Sequence, residues 1–179
     1  TNKFLAKKAK KIFVAYSGME KIFPAQKIVL SGNPVRESVK QCHLTREEAL
    51  EKFDLDKEKL TILSVGGSLG SRTLNIAWLN HLPEILKQNV QIIWQTGSTE
   101  YEKIINTYIN PNADENIKKL LPQIAIKEFI HNMAEAYTAA DIIVSRAGAI
   151  AISELCIAGK PTILVPLPHA AEDHQTKNA

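Results

Sequence analysis

Glu154 lies about one turn inside a helix that begins at a turn of small residues, and that pairing points to a specific chemistry. The segment Ser145-Arg146-Ala147-Gly148-Ala149-Ile150-Ala151-Ile152-Ser153-Glu154 leads from an apolar strand, residues 141–145, into a helix that continues to Gly159. Small side chains at a strand-to-helix turn let a ligand approach the backbone. The first helical turn then offers unpaired N–H groups and positive dipole charge to an anion. A carboxylate so close is out of place if the ligand is a bare phosphate. A nucleotide removes the conflict: its phosphates meet the helix start while Glu154 accepts hydrogen bonds from ribose hydroxyls.

A second anion cradle is Gly66-Gly67-Ser68-Leu69-Gly70-Ser71, between an apolar strand and a helix carrying Leu74 and Trp78. Ser68 adds a hydroxyl donor. The pattern has neither the lysine of a P-loop nor the GxGxxG spacing, so alone it reads equally as a tight structural turn. Two such loops at the carboxyl ends of parallel strands favour ligand binding, because open α/β sheets bind along that edge. A third polar segment, Pro166-Leu167-Pro168-His169-Ala170-Ala171-Glu172-Asp173-His174-Gln175, follows the last strand. Gln175 has donors and acceptors suited to sugar hydroxyls. His169, Asp173 and His174 match no zinc spacing, so a polar helix start explains them better than a metal site does. Ser68 lacks the flanking GxSxG of a serine hydrolase.

Arg36 could hold a guanidinium over the nucleotide end of such a cleft, or be a surface arginine in a first helical turn. Phe129 and Ile130 could present backbone groups to a base, or pack in the core. Arg146 reads as a strand-end charge with no assigned ligand.

Positioning these groups requires alternating strands and helices. Apolar runs at residues 12–15, 27–30, 60–65, 90–95, 124–127, 142–145 and 162–165 alternate with amphipathic stretches, the mark of a parallel sheet flanked by helices. Leu74, Ala77, Trp78, Leu82, Ile85 and Leu86 recur at helical spacing on one face, with Pro83 expected to kink or divide that helix. Thr45 with Glu48, and Thr99 with Glu102, have capping-box spacing. Residues 110–115 read as loop. Gly32-Asn33-Pro34 marks a hinge or linker. The expected organisation is therefore residues 1–31 as the tail of one domain, 32–36 as hinge, and 37–179 as a nucleotide-binding domain.

The chain has 179 residues and a formal charge of +3, enough for one sizeable domain or one domain plus a remnant of another. Lys3, Lys7, Lys8, Lys10 and Lys11 crowd the first turns, either as a solvated helix face or as an attraction for anionic lipid. Two isolated cysteines, Cys42 and Cys156, fit a reducing compartment, with Cys156 expected to be a buried thiol in an apolar helix. No apolar run approaches a membrane span, and no signal peptide is visible. A start at Thr1 and a stop within an apparent helix read as a fragment of a longer protein.

Taken together, Gly32-Asn33-Pro34-Val35-Arg36, Gly66-Gly67-Ser68-Leu69-Gly70-Ser71, Glu128-Phe129-Ile130, Arg146-Ala147-Gly148-Ala149 through Ser153-Glu154, and Asp173-His174-Gln175 with Asn178-Ala179 appear in order and at compatible spacing. They closely resemble the carboxyl-terminal, donor-binding half of the MurG family of bacterial N-acetylglucosaminyltransferases, glycosyltransferase family 28. The resemblance covers nearly the whole chain. It implies an α/β fold: a Rossmann-like parallel sheet flanked by helices, one domain of a two-domain GT-B enzyme whose active site lies between the domains. It also implies inverting transfer of N-acetylglucosamine from UDP-GlcNAc to undecaprenyl-pyrophosphoryl-MurNAc-pentapeptide, in peptidoglycan synthesis on the cytoplasmic face of the plasma membrane.

Carried over by motif, Arg36 and the Ile130 backbone meet uracil and Glu154 meets ribose. Ser68 and the backbone of Ala149, Ile150, Ala151, Ile152 and Ser153 meet the diphosphate, and Gln175 the donor sugar. The implied partners are that donor, the lipid-linked acceptor and a membrane surface, without nucleic acid; no cofactor or metal is needed, since dipole and backbone donors can stabilise the leaving diphosphate. Leu69 stands where the family commonly has glutamine, and Ala147 and Ala151 where serine and threonine are frequent. The family's base and acceptor-phosphate loops belong to its amino-terminal domain, so no catalytic residue is expected here and the chain alone should at best bind donor. A non-catalytic nucleotide-binding or regulatory module and a UDP-sugar epimerase of similar architecture are the competing readings.

Overall fold

The structure, a computed structural model, describes residues 2–109, 115–168 and 173–179. Its contacts divide the chain into two units, Thr1–Val35 and Arg36–Ala179.

In the first unit, helix α1 (Asn2–Lys8) precedes two short strands, β1 (Ile12–Val14) and β2 (Ile28–Leu30), which pair in parallel with Ile12 opposite Ile28. The Lys27 ammonium donates to the carbonyls of Ala6 and Lys7 at 3.2 and 3.0 Å, placing a cation at the negative end of α1. Lys27 itself closes a 3-10 turn, Ala25–Lys27, so β2 starts one residue later than the apolar run does.

The second unit opens with α2 (Glu37–Lys40) and α3 (Arg46–Glu51). It continues through β3 (Leu60–Val65), α4 (Arg72–Ile85), β4 (Val90–Gln95), α5 (Tyr101–Ile109), α6 (Glu115–Lys118), β5 (Ile124–Lys127), α7 (Met133–Ala139), β6 (Ile142–Ser145), α8 (Ala149–Ala158), β7 (Thr162–Leu164) and α9 (His174–Asn178). The five strands form one parallel sheet in the order β5-β4-β3-β6-β7. The chain starts in the middle at β3, builds outward to β5, then returns to the other side of β3 with β6. That reversal opens a crevice at the carboxyl ends of β3 and β6. Register keeps those ends level, with Val65 opposite both Gln95 and Ser145.

Apolar residues cover both faces of the sheet. Ile92 and Trp94 join Leu74, Trp78 and Leu82 of α4 and Ile104 and Tyr108 of α5 in one core. Ile93, which alternation turns to the opposite face, is equally inaccessible. Trp94 meets Tyr108 edge-on, with ring centroids 6.4 Å apart. Three polar bonds fix α4 on the sheet: Trp78 Nε1 to Ser64 Oγ at 2.7 Å, Trp94 Nε1 to Asn75 Oδ1 at 3.0 Å, and Asn75 Nδ2 to the Thr96 carbonyl at 2.9 Å. Below the sheet's amino end, Arg46 grips Asp141 with two bonds of 3.0 and 2.7 Å, and Asp141 also accepts from Thr61 N–H at 2.8 Å.

Several expectations need correction. Ala77 is exposed while Asn75 is buried. The buried stripe of α4 follows residues 74, 75, 78 and 82, so Ala77 lies beyond its edge. Pro83 does not divide α4, which runs on to Ile85 and then tightens into the 3-10 turn Leu86–Gln88. In the last turn a missing N–H removes only one bond of a helix already held by Leu74, Trp78 and Leu82. The Thr45–Glu48 capping box is present in full. The helix near Thr99, however, begins at Tyr101 and makes its first turn by Ile104 N–H to the Glu100 carbonyl, beyond the reach of a Thr99 cap. Cys156 is exposed, because α8 is apolar on all sides and buries only Glu154 and Leu155. The loop expected at residues 110–115 lies outside the described residues, except that Glu115 starts α6.

Candidate functional site

A cavity of about 700 Å³ lies in the crevice at the carboxyl ends of β3 and β6. Its floor is the glycine loop between β3 and α4, whose conformation depends on contacts only glycine permits. Gly70 has φ +78°, and a Cβ there would run into the Thr96 carbonyl. Gly97 has φ +79°, and its Cβ would meet the backbone of Leu69 and Gly70. The loops after β3 and β4 therefore pack backbone on backbone, with no side chain between them. Ser68 lines the cavity from the exposed tip, and Leu69 beside it is 75% exposed.

The opposing wall is the start of α8. Gly148 is its N-cap and makes no side-chain cap bond. Ile152 N–H bonds the Gly148 carbonyl at 2.9 Å, which begins the helical ladder. The N–H groups of Ile150 and Ala151 have no acceptor among the described residues, and both residues line the cavity. Ala149, Ile152 and Ser153 do not line it, and the Ser153 hydroxyl turns back to the Ala149 carbonyl at 3.0 Å.

Glu154 is deeply buried, and its carboxylate is gripped by Arg36. Nε and one terminal nitrogen of Arg36 donate to the two carboxylate oxygens at 2.7 and 2.6 Å, and Tyr137 donates its hydroxyl at 3.3 Å. The Arg36 bonds hold the Glu154 carboxyl below its ordinary range against the opposing pull of burial. Burial first, and then the Glu154 charge, push the Tyr137 hydroxyl well above its usual value, so it stays protonated as a donor. A carboxylate offers about four lone-pair positions. The Arg36 side chain, the Arg36 main-chain N–H and the Tyr137 hydroxyl together occupy them, so a further donor to Glu154 must displace one of these. The sequence separates Arg36 and Glu154 by 118 positions, and no local signal announced the pair.

Gln95, at the end of β4, joins two loops. Its Nε2 donates to the Gly67 carbonyl and its Oε1 accepts from Ile130 N–H, both at 2.9 Å. Ile130 lines the cavity as expected, but its N–H is already engaged, so its carbonyl is the backbone group left for a base. Phe129 is 43% exposed at the cavity and meets His131 edge-on at 5.1 Å. Gln175 also lines the cavity. Its Oε1 accepts from Leu167 N–H at 2.9 Å, which leaves its amide donors to face a ligand. Of the residues named from the sequence, Arg36, Ser68, Ile130, Ile150, Ala151, Glu154 and Gln175 converge on the cavity. Gln95 and Tyr137 were missed, and Ser71 was named only as the end of the glycine loop. A polar residue ending an otherwise apolar strand was the available signal for Gln95. His169 lies outside the described residues, and among the described residues no group of three metal-ligating side chains occurs.

The chain is similar to several known proteins. A relative from Parabacteroides distasonis, named UDP-N-acetylglucosamine--N-acetylmuramyl-(pentapeptide) pyrophosphoryl-undecaprenol N-acetylglucosamine transferase, is 52% identical over 181 residues, covering 100% of this chain and 46% of that protein. A relative of the same name from Phocaeicola vulgatus is 51% identical over 179 residues, with the same coverage of 100% and 46%. Among solved structures, the crystal structure of Acinetobacter baumannii MurG is 33% identical, with a TM-score of 0.56 over 99% of this chain and 45% of that one. The chain thus spans about half the length of the curated relatives it matches. Residues 61–179 match the Glycosyltransferase family 28 C-terminal domain, and the chain belongs to that family.

Proposed function

We propose that residues 36–179 form the UDP-N-acetylglucosamine site of an inverting N-acetylglucosaminyltransferase that converts lipid I to lipid II. The observation that carries this reading is the convergence, at the sheet's switch point, of a glycine loop, the first turn of α8 and a buried carboxylate on one cavity. In this reading the first turn of α8 and Ser68 receive the diphosphate, and Glu154 receives a ribose hydroxyl. Arg36 and the Ile130 carbonyl face the uracil, and the Gln175 amide faces the sugar. Fixed N–H dipoles aimed at the diphosphate stabilise the charge that develops as UDP leaves.

Residues 1–31 belong to the acceptor-binding domain and residues 32–36 to the hinge, with the general base supplied by that other domain. The lipid-linked acceptor places the enzyme at the cytoplasmic face of the plasma membrane. Among the described residues no helix is long and apolar enough to cross a membrane, in keeping with peripheral attachment.

Calorimetric titration of the chain with UDP-GlcNAc, UDP and NAD tests the reading. The uridine nucleotides should bind and NAD should not; no preference for uridine nucleotides overturns it. Glu154→Ala should weaken UDP more than inorganic phosphate. Joined to the amino-terminal half of the Phocaeicola vulgatus relative, the chain should support sugar transfer to a lipid-linked acceptor, an outcome a purely regulatory module would not give.

A further inference from the structure

Ser71, the N-cap of α4, has a hydroxyl whose two lone pairs are both taken. Its Oγ accepts from an Arg146 terminal nitrogen at 2.6 Å and from Leu74 N–H at 3.4 Å. A hydroxyl carries one hydrogen and two lone pairs, so the hydrogen must point away from both donors. No acceptor for it lies among the described residues. Ser71 is 6% exposed and lines the cavity, which is where that hydrogen can go.

Arg146 makes the arrangement unusual. It is 8% exposed and also lines the cavity. Its other terminal nitrogen donates to the Val165 and Pro166 carbonyls at 3.1 and 2.8 Å. Among the described residues no carboxylate pairs with it. Burial lowers its pKa, yet a guanidinium remains charged at any pH the fold meets. Buried charges are ordinarily paired, because an uncompensated one is expensive. Among the described residues nothing supplies the counter-charge, and the cavity is the place from which an external anion can supply it.

We propose that Ser71 donates its hydroxyl to a diphosphate oxygen of the bound nucleotide, with Arg146 as the positioning residue that fixes Ser71 Oγ and supplies the counter-charge. The inference rests on the donor-site reading above and adds to it a ligand contact and a buried cation. A cationic donor to Oγ polarises the hydroxyl and strengthens the bond it gives. Val165 and Pro166 hold Arg146 from the β7 side, so the cation spans the two anion loops.

The test compares UDP with uridine, which lacks the phosphates, by titration of the chain carrying Ser71→Ala, Ser71→Thr or Ser71→Asp. Ser71→Ala should weaken UDP by about tenfold or more, the size of a lost hydrogen bond to a charged group, while uridine changes by less than about twofold. Ser71→Thr keeps the hydroxyl and should hold UDP within about threefold of the parent. Ser71→Asp retains an acceptor for Leu74 N–H and pairs with Arg146. It should therefore fold at least as stably as the parent yet lose UDP by about a hundredfold with uridine unchanged, and it decides the matter if the alanine variant folds poorly. Equal losses for UDP and uridine, or no loss of UDP in Ser71→Asp, overturn the inference. Failure of the unsubstituted chain to bind UDP overturns the donor-site reading instead, and this inference with it.

Discussion

Arg36→Met and Glu154→Gln each remove half of one ion pair, yet they should not cost the same. The Arg36 side chain is 47% exposed and the Glu154 side chain 3%. Without the Arg36 guanidinium, the carboxylate stays buried with only the main-chain N–H of position 36 and the Tyr137 hydroxyl, 3.3 Å away, to stabilise it. Stripping a partner from a buried pair costs about 3–5 kcal/mol, and the half-exposed arginine discounts this to about 2 kcal/mol. Without the Glu154 charge, Arg36 can turn to water and the amide still accepts from Tyr137, so the cost falls to about 0.5–1 kcal/mol.

Urea unfolding read by tryptophan fluorescence measures this, since both tryptophans, Trp78 and Trp94, lie in the unit Arg36–Ala179. With a slope of about 2 kcal/mol per molar urea, Arg36→Met should lower the midpoint by about 1 M and Glu154→Gln by less than about 0.5 M. The pH dependence follows from the sign of the shift. Arg36 holds the Glu154 carboxyl below its ordinary 4.5, so the pair's stabilisation is present above that value and is lost as pH falls through the lower, folded value. In Arg36→Met, burial is opposed only by the Tyr137 and main-chain bonds and the carboxyl rises, so acid relieves the variant and its gap from the parent narrows. Equal midpoints, a costlier Glu154→Gln, or a gap that persists in acid would refute the asymmetry.

Gly70→Ala combines a strained φ of +78° with a Cβ driven into the Thr96 carbonyl, and should cost about 2–4 kcal/mol, or about 10 °C in thermal midpoint; a midpoint within about 2 °C of the parent would contradict the backbone packing. Gln95→Met keeps the volume but leaves Ile130 N–H without its acceptor, a loss of about 1–3 kcal/mol. Hydrogen exchange at the Ile130 amide should accelerate in that variant, and unchanged protection would show that the bond does not hold. For Asp141, burial alone would raise the carboxyl, but the bonds from Arg46 and Thr61 and the charges of Arg46 and Lys160 hold it low. Asp141→Asn should therefore cost about 1–2 kcal/mol at pH 7, with the difference from the parent shrinking as pH falls through the Asp141 pKa; a difference independent of pH in urea titrations would reject the pairing.

The central strands were legible because burial on both faces leaves a continuous apolar run with polar ends. Residues 60–65, 90–95 and 142–145 read as strands and are strands, and so are residues 124–127, although β5 lies at an edge of the sheet. The strand bounds given by 12–15, 27–30 and 162–165 were less sharp, each three-residue strand giving up one end residue of the run to the adjoining turn or loop. Val165 illustrates this: it lies past β7 yet still donates to the Ser145 carbonyl at 2.8 Å. At the site, local grammar identified the glycine loop and the start of α8, because loop and cap are encoded by neighbouring residues. What local grammar could not encode was who holds whom. The pairing of Arg36 with Glu154, the amide of Gln95 between Gly67 and Ile130, and the guanidinium of Arg146 on Ser71 all join residues far apart in sequence. Each changes which atoms a ligand can use. Cys156 shows the complementary failure: an all-apolar helix gives no periodicity from which to tell its covered side.

The glycine loop is anchored everywhere except at its tip. Gly67 is tied by Gln95, Gly70 rests on Thr96, and Ser71 is held by Arg146, whereas Ser68 and Leu69 stand exposed between these anchors. The loop therefore behaves as a cassette clipped into a frame. Substitutions at Ser68 and Leu69 can therefore change the face the loop presents while the sheet and its flanking helices keep their fold, with little penalty in stability.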